Sequence, residues 1–365
     1  MLNKRIGEIM RVVFRVDSSF QIGTGHLRRC LVLAEQLRKR DAEITFISHH
    51  FPGNLNHLII ENDFTLLVLP YLVTTADQHV AFIENNWELD AHHTKNLIRQ
   101  YPNIDYLVVD HYALEERWEK VVNGNVQHVI VIDDLANRKH YCDTLVDQNL
   151  LQNIEKRYVN LVPAKAKLLL GPKYLLLREE FRQTALMKTP HPFIKNIFIS
   201  FGGTDPTNET CKTLEAITDF SDYDLEINTI ISTKHPEIKR IQAYANHNPA
   251  ISIHTDTKQM AALMATADLA IGAGGTTTWE RCYLQVPTFT IETALNQHEI
   301  LNYLDSIGFL CHLGKSKDVS TGKIQKILSS HLNDTTEWRA MRIRLKAFAA
   351  SVEDEAIARY MVEGN

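Results

Sequence analysis

Gly23-Thr24-Gly25-His26 stands where a strand pattern gives way to a helix pattern, and a histidine at that place can move a proton. Glycines ahead of a helix usually admit a phosphate, yet neither common cradle is spelled out here. A Walker loop needs Gly-x-x-x-x-Gly-Lys-Ser/Thr, and a dinucleotide fingerprint needs a third glycine where Arg28 stands. Gly23 and Gly25 can instead let the backbone approach a ligand closely. His26 can act as a general base near pH 7, or it can cap the helix or fill a polar pocket. Asp17, at the end of the first strand, can orient His26, accept a proton or cap its own loop. Asp110-His111-Tyr112 ends the strand YLVVD and reaches the same rim. Asp133-Asp134 ends VIVID in the same way and reads as a loop of solvated carboxylates.

The second half holds a different device. Phe201-Gly202-Gly203-Thr204-Asp205-Pro206 follows a strand and precedes a helix, so backbone N–H groups can face an anion with a helix end behind them. The run IGAGGTTTWERCYLQVPTF repeats it: Gly274, Gly275, Thr276 and Thr277 can meet a diphosphate with amides and hydroxyls. Glu280, further along that helix, can accept two ribose hydroxyls, as acidic residues behind glycine loops do. Gln297 and His298 open another loop that can reach sugar or phosphate, or form a plain surface turn.

These residues need a scaffold of strands and helices in alternation. Strand patterns fall at 12–16, 44–48, 66–69, 106–110 and 129–133, with helix patterns after Gly25, over 91–99 and near 114–123. Continuous apolar strands between helices predict a parallel sheet covered on both faces. The polar stretch 183–196, with Pro190 and Pro192, reads as a linker. A second cycle follows, with strands at 197–201, 227–232, 251–255, 269–273 and 287–291 and a helix over 208–218. One long helix over about 337–363 closes the chain. The expected architecture is α/β: a first domain at 11–182, a second at 197–336, a terminal helix at 337–365, both domains doubly wound and facing a central cleft where ligands bind. Residues 1–10 read as a loose lead-in, with Met10 as an alternative start.

The 365 residues suffice for two cores, and a net charge of −5 offers no basic field for nucleic acid. No apolar run is long enough for a bilayer span, and none has the layout of a signal peptide. Five scattered cysteines without a C-x-x-C pair suit a reduced, cytoplasmic setting. The doublets His49-His50 and His92-His93 lack the spacing that puts metal ligands on one helix face, so no metal is expected.

Taken together the motifs are familiar. Gly274-Gly275, Glu280, Val286-Pro287 and Gln297 resemble nucleotide-sugar glycosyltransferases of the B fold. The first half is more specific. Arg15-Val-Asp17-Ser-Ser-x-Gln21-Ile-Gly23-Thr-Gly25-His26, Val109-Asp110-His111-Tyr112, Asp133-Asp134-Leu135-Ala136, Asp147-Gln148-Asn149, Leu170-Gly171-Pro172, Leu177-Arg178-x-Glu180-Phe181 and Ser200-Phe-Gly202-Gly203-Thr204-Asp205 resemble the UDP-2,4-diacetamido-2,4,6-trideoxy-β-L-altropyranose hydrolase family of pseudaminic acid biosynthesis. The likeness runs from about Arg11 to beyond Gln297.

The resemblance implies a UDP-sugar substrate and water as the attacking group. It implies His26 as the base, inversion at the anomeric carbon, Tyr112 in the sugar pocket and Asp17 supporting that neighbourhood. The glycine loops of the second domain would hold UDP, with Glu280 on the ribose and no metal or cofactor. A monomer is the expected state, although nothing in the sequence speaks to it. A B-fold glycosyltransferase, a UDP-sugar 2-epimerase and a non-catalytic nucleotide-sugar binding module are the competing readings.

Overall fold

A computed structural model describes residues 9–19, 21–70, 79–185, 191–202, 205–220 and 222–364. The chain divides into two compact units: residues 1–176 together with 353–365, and residues 177–352.

The first unit is a seven-stranded parallel sheet. Its strands are β1 (Arg11–Val16), β2 (Glu43–His49), β3 (Thr65–Leu69), β4 (Ile104–Asp110), β5 (Val126–Ile132), β6 (Thr144–Asp147) and β7 (Lys167–Leu170). They lie in the order β3-β2-β1-β4-β5-β6-β7. Alternation along β1 feeds both faces. Val12, Phe14 and Val16 pack with Leu27, Cys30 and Leu33 of the helix Gly25–Arg38. Val13 points the other way, into a core with Leu107, Val109 and Trp118. Met10 is itself part of the first core, and its carbonyl accepts from Glu43 N–H at 2.8 Å, so the ordered fold begins before Arg11.

The second unit is a six-stranded parallel sheet: β8 (Asn196–Ser200), β9 (Glu226–Ile231), β10 (Ile251–Thr255), β11 (Leu269–Ala273), β12 (Thr288–Glu292) and β13 (Cys311–Lys315), in the order β10-β9-β8-β11-β12-β13. Ile197, Ile199, Leu269, Ile271 and Phe289 form its core with Leu214 and Trp338. Trp338 is also held by its indole N–H, which donates to Asp268 O at 2.7 Å. Among the described residues no helix is long and apolar enough to cross a membrane.

Three expectations change. The strands β6, β7 and β13 were not anticipated: β6 and β7 have only four residues each, and β13 fully buries only Leu313, so none carries a readable period. The segment 183–196 is not simply a linker: its first residues complete the helix Glu179–Ala185, which belongs to the second unit, and its last residue begins β8. The terminal helix is two helices, Thr336–Ser351 and Ala356–Glu363, separated by a break in which Glu355 adopts a φ of 49°. No proline or glycine marks the break; tertiary packing imposes it. Ile357, Ala358 and Met361 join the first unit's core, and Tyr106 Oη donates to Met361 O at 2.8 Å.

Removing the Ile357 side chain beyond Cβ therefore leaves a hole in the first unit. Ile357→Ala is expected to lower that unit's unfolding free energy by about 2–5 kcal/mol, read as an earlier urea transition. An unchanged midpoint would show that the last helix adds nothing to the core.

Candidate active site

The order of the first sheet reverses direction between β1 and β4, which lie side by side with Val16 opposite Asp110. Loops leaving the carboxyl ends of two such strands open a crevice. After β1 the chain makes a small closed turn: Gly23 N–H donates to Ser19 O at 3.0 Å, and Ser19 Oγ accepts from Gln21 and Ile22 N–H. Gly23 closes that turn at a φ of +82°, a conformation suited to glycine. The helix then starts at Gly25, so His26 and Arg29 occupy one face, one turn apart.

His26 is buried, and its Nδ1 lies 2.5 Å from Asp110 Oδ1 at the end of β4. Arg29 grips the same carboxylate twice, donating Nε to Oδ2 at 2.6 Å and Nη2 to Oδ1 at 2.7 Å. Its Nη1 donates to Asp134 Oδ2 at 2.9 Å. Burial alone would push the Asp110 carboxyl up; the Arg29 guanidinium and His26 outweigh it and hold that carboxyl well below the usual range. An ionised Asp110 only accepts, so the proton between them sits on Nδ1. Arg29 Nη2 also comes within 3.2 Å of Nδ1, but two donors cannot bond, so this is a close contact. Nε2, the second ring nitrogen, has no hydrogen bond among the described residues. Tyr112, half-buried, sets its ring edge-on to His26 at 4.4 Å between centroids. The arrangement is an imidazole in a fixed tautomer with a lone pair on Nε2, backed by a carboxylate that stabilises the ring if it gains a proton.

Asp17 does not orient His26; Asp110 does. Asp17 is fully buried in a network of its own, accepting from His49 N–H at 2.7 Å and Ser48 Oγ at 3.1 Å, with Arg15 Nη1 at 2.9 Å. His111 Nδ1 accepts from Ala113 N–H at 3.0 Å, which leaves the proton on Nε2, 3.3 Å from Asp17 Oδ2. Burial pushes the His111 imidazole below its ordinary range against the pull of Asp17. Burial raises the Asp17 carboxyl, but Arg15 and the neighbouring histidines hold it well below its ordinary value. Asp17 thus anchors the residue between Asp110 and Tyr112. The pair Asp133-Asp134 is not a solvated loop either. Asp133 is buried, accepting from Ala136 N–H at 2.8 Å beside Arg138 Nη1 at 2.9 Å, and Asp134 bridges to Arg29.

In the second unit the direction reverses between β8 and β11, where Ser200 lies opposite Gly272. Gly202 leaves β8 at a φ of +91° with open space around it. Gly203 and Thr204 lie outside the described residues. The expected helix end behind this turn is already occupied: Asp205 accepts from Glu209 N–H at 3.0 Å and Thr210 N–H at 2.7 Å. A carboxylate of the chain itself takes the place proposed for an anion.

The turn after β11 is more open. Gly274 is a glycine for packing, since a Cβ there would come within 2.7 Å of Leu301. Gly275 meets nothing, and Gly275 and Thr276 are exposed with Thr277 half-buried beside them. Gln297 clamps the turn from above: its Oε1 accepts from Gly274 N–H at 3.3 Å and Thr293 N–H at 3.0 Å. His298 points elsewhere, with Nδ1 2.8 Å from Glu292 Oε2. Glu280 Oε1 is held by Arg178, at 3.0 Å from Nε and 2.9 Å from Nη2. That ion pair explains why the stretch around Arg178 travels with the glycine turn. Arg29, the pairing of Arg178 with Glu280 and the orienting role of Asp110 were missed in the sequence; the spacing of His26 and Arg29, one turn apart, was the available signal for the first.

No family model matches the chain. It is 28% identical over 300 residues to the UDP-2,4-diacetamido-2,4,6-trideoxy-β-L-altropyranose hydrolase of Campylobacter jejuni, covering 82% of this chain and 98% of that protein. It is 26% identical to protein MJ1062 of Methanocaldococcus jannaschii over 90% of this chain, and it spans 61% of that protein's length. The spore coat polysaccharide biosynthesis protein SpsG of Bacillus subtilis is 25% identical over 79% of each chain. Among solved structures, MurG of Acinetobacter baumannii matches with a TM-score of 0.64 and 14% identity, covering 97% of this chain and 98% of that one. UGT89C1 of Arabidopsis thaliana, solved with UDP, matches with a TM-score of 0.68 and 14% identity over the same shares. The fold is that of B-type glycosyltransferases, and the sequence resembles that of the hydrolase from Campylobacter jejuni.

Asp110→Ala would leave the buried Arg29 short of its main counter-charge, a loss of about 3–5 kcal/mol at neutral pH. Because the folded carboxyl is depressed, its contribution is complete above about pH 4 and drains as pH falls further. Asp110→Asn should accordingly flatten the acid limb of a stability-against-pH curve. An acid limb as steep as that of the parent would remove Asp110 from the account.

Proposed function

We propose that this chain hydrolyses a UDP-sugar, UDP-2,4-diacetamido-2,4,6-trideoxy-β-L-altropyranose, to UDP and 2,4-diacetamido-2,4,6-trideoxy-L-altrose, as a step of pseudaminic acid biosynthesis. The observation that carries the reading is the His26–Asp110 pair at 2.5 Å, with Nε2 of the ring left unbonded among the described residues. His26 Nε2 takes a proton from water as the water oxygen bonds to the anomeric carbon. The bond from that carbon to the diphosphate oxygen breaks, the electron pair leaves with UDP, and the configuration inverts. The new imidazolium faces the Asp110 carboxylate through Nδ1–H, which stabilises it.

The other roles follow the same reading. Tyr112, beside the ring, lines the sugar pocket, and Asp17 acts from behind through His111 as a positioning residue. The turn Gly275-Thr276-Thr277 offers amides and hydroxyls to the diphosphate, where negative charge grows as the bond breaks. Glu280 receives the ribose hydroxyls, with Arg178 setting its rotamer. Gly23, Gly25 and Gly202 keep the backbone close to the ligand, and Gln297 shapes the turn rather than touching sugar. No cofactor enters the scheme. The names of the hydrolase from Campylobacter jejuni and of the UDP-bound Arabidopsis structure support the substrate class.

His26→Ala is expected to cut kcat by about 100- to 10,000-fold while UDP affinity stays as it was. Turnover within twofold of the parent would overturn the assignment of the base. Incubation of the UDP-sugar in oxygen-18 water without any acceptor separates the competing chemistries. Label in the free sugar supports attack at carbon; label in UDP, or no free sugar at all, sinks the proposal, the latter in favour of a glycosyltransferase.

A further inference from the structure

Arg281 is the strongest anomaly in the second unit. Its side chain is buried, and among the described residues no acidic side chain reaches it within ion-pair distance. Nη2 donates to Ala273 O at 2.6 Å and to Thr278 Oγ1 at 3.0 Å, both neutral acceptors. Among the described residues Nε and Nη1 have no hydrogen-bond partner. Burial pulls the guanidinium down to about 10, only partly resisted by the neighbouring Cys282 and Glu280. A buried cation that is not neutralised opposes folding unless something repays it.

Its place in the fold identifies what does so. Ala273 and Thr278, the two acceptors, bracket the turn Gly274–Thr277. Gly272 lies directly against the guanidinium: a Cβ there would come within 2.6 Å of Arg281 Nη1 and 2.4 Å of Ser200 O. Ser200 ends β8, the strand that leads into Gly202. The charge therefore sits beneath the roots of both glycine turns at once, in the cleft between β8 and β11. It is screened from water there, where a fixed charge acts most strongly on an anion nearby.

We infer that Arg281 is a positioning residue for a nucleoside diphosphate: it braces the Gly274–Thr277 turn from below and supplies the positive charge that the diphosphate neutralises without touching it. The inference rests on the reading of that turn as the diphosphate hold, and it adds that the site is charged from beneath, by a residue to which the sequence reading gave no role. It also gives Gly272 a reason, since a larger residue would displace the guanidinium.

The test is calorimetric titration with UDP and with uridine, beside thermal unfolding, on the parent, Arg281→Met, Arg281→Gln and Arg281→Lys. Arg281→Met should bind UDP at least about tenfold more weakly, leave uridine affinity within twofold, and unfold without ligand at the same or a higher temperature. Arg281→Gln keeps a donor for Ala273 O without the charge; it should show the same selective loss, and carries the test if the methionine variant fails to fold. Arg281→Lys, which keeps a charge, should recover most of the UDP affinity. Equal loss of UDP and uridine, together with a lower unfolding temperature, would mark a purely structural residue and overturn the inference. Unchanged UDP affinity in both uncharged variants would overturn it while leaving the proposed function standing. A parent protein that binds no UDP would remove both.

Discussion

One carboxylate organises the first unit. Asp110 must stay ionised while fully buried, and Arg29 does most to make that possible by closing on both of its oxygens, with His26 beside it. With the carboxylate fixed, the proton of His26 is fixed on Nδ1, and the ring can face outward only with its lone pair on Nε2. Arg29 in turn is tied to Asp134 beyond the next strand, so one helix and two strand ends share one charged girdle. A deeper network of Arg15, Asp17, Asp90, His49 and His111 lies behind it and fixes the backbone that carries Tyr112. The tautomer of His26 is thus set by the buried charges rather than by the exposed loop.

Both units use the same topological device for different ends. In each sheet the order reverses beside the first strand, and the residues of interest leave the two strands that meet there. The first unit fills its crevice with a histidine and a carboxylate. The second fills its crevice with glycines and threonines above a buried guanidinium. The helix behind each turn is handled differently too: Asp205 consumes the amide donors at the start of the helix after β8, while the turn after β11 is left open to solvent.

Much of this was legible in the sequence because apolar strands of five to seven residues have a clear signature. The two-domain α/β layout, the rim position of His26 and the glycine turns could all be read that way. Side-chain partners could not. Asp17 and Asp110 both end strands of the first sheet, and nothing in their local sequence says that one meets His26 and the other His111. Asp133-Asp134 looks like a solvated loop until the cations Arg29 and Arg138 are brought to it by distant parts of the chain. Likewise Gly274 reads as a ligand contact, whereas the neighbour that demands a glycine is Leu301. The break before Ala356 was invisible because neither proline nor glycine is present; it exists because the residues beyond it belong to another core.

That last segment has a consequence for how the protein is made. The sheet synthesised first lacks Ile357, Ala358 and Met361 until the ribosome has passed through the whole of the second unit. At about 5–20 residues per second that interval is on the order of 10–35 s. Throughout it the nascent first sheet exposes an apolar groove along the helix that bears His26, open to chaperones and to mispairing. The sheet whose strands are made first therefore gains its last core residues only after the second unit has been synthesised.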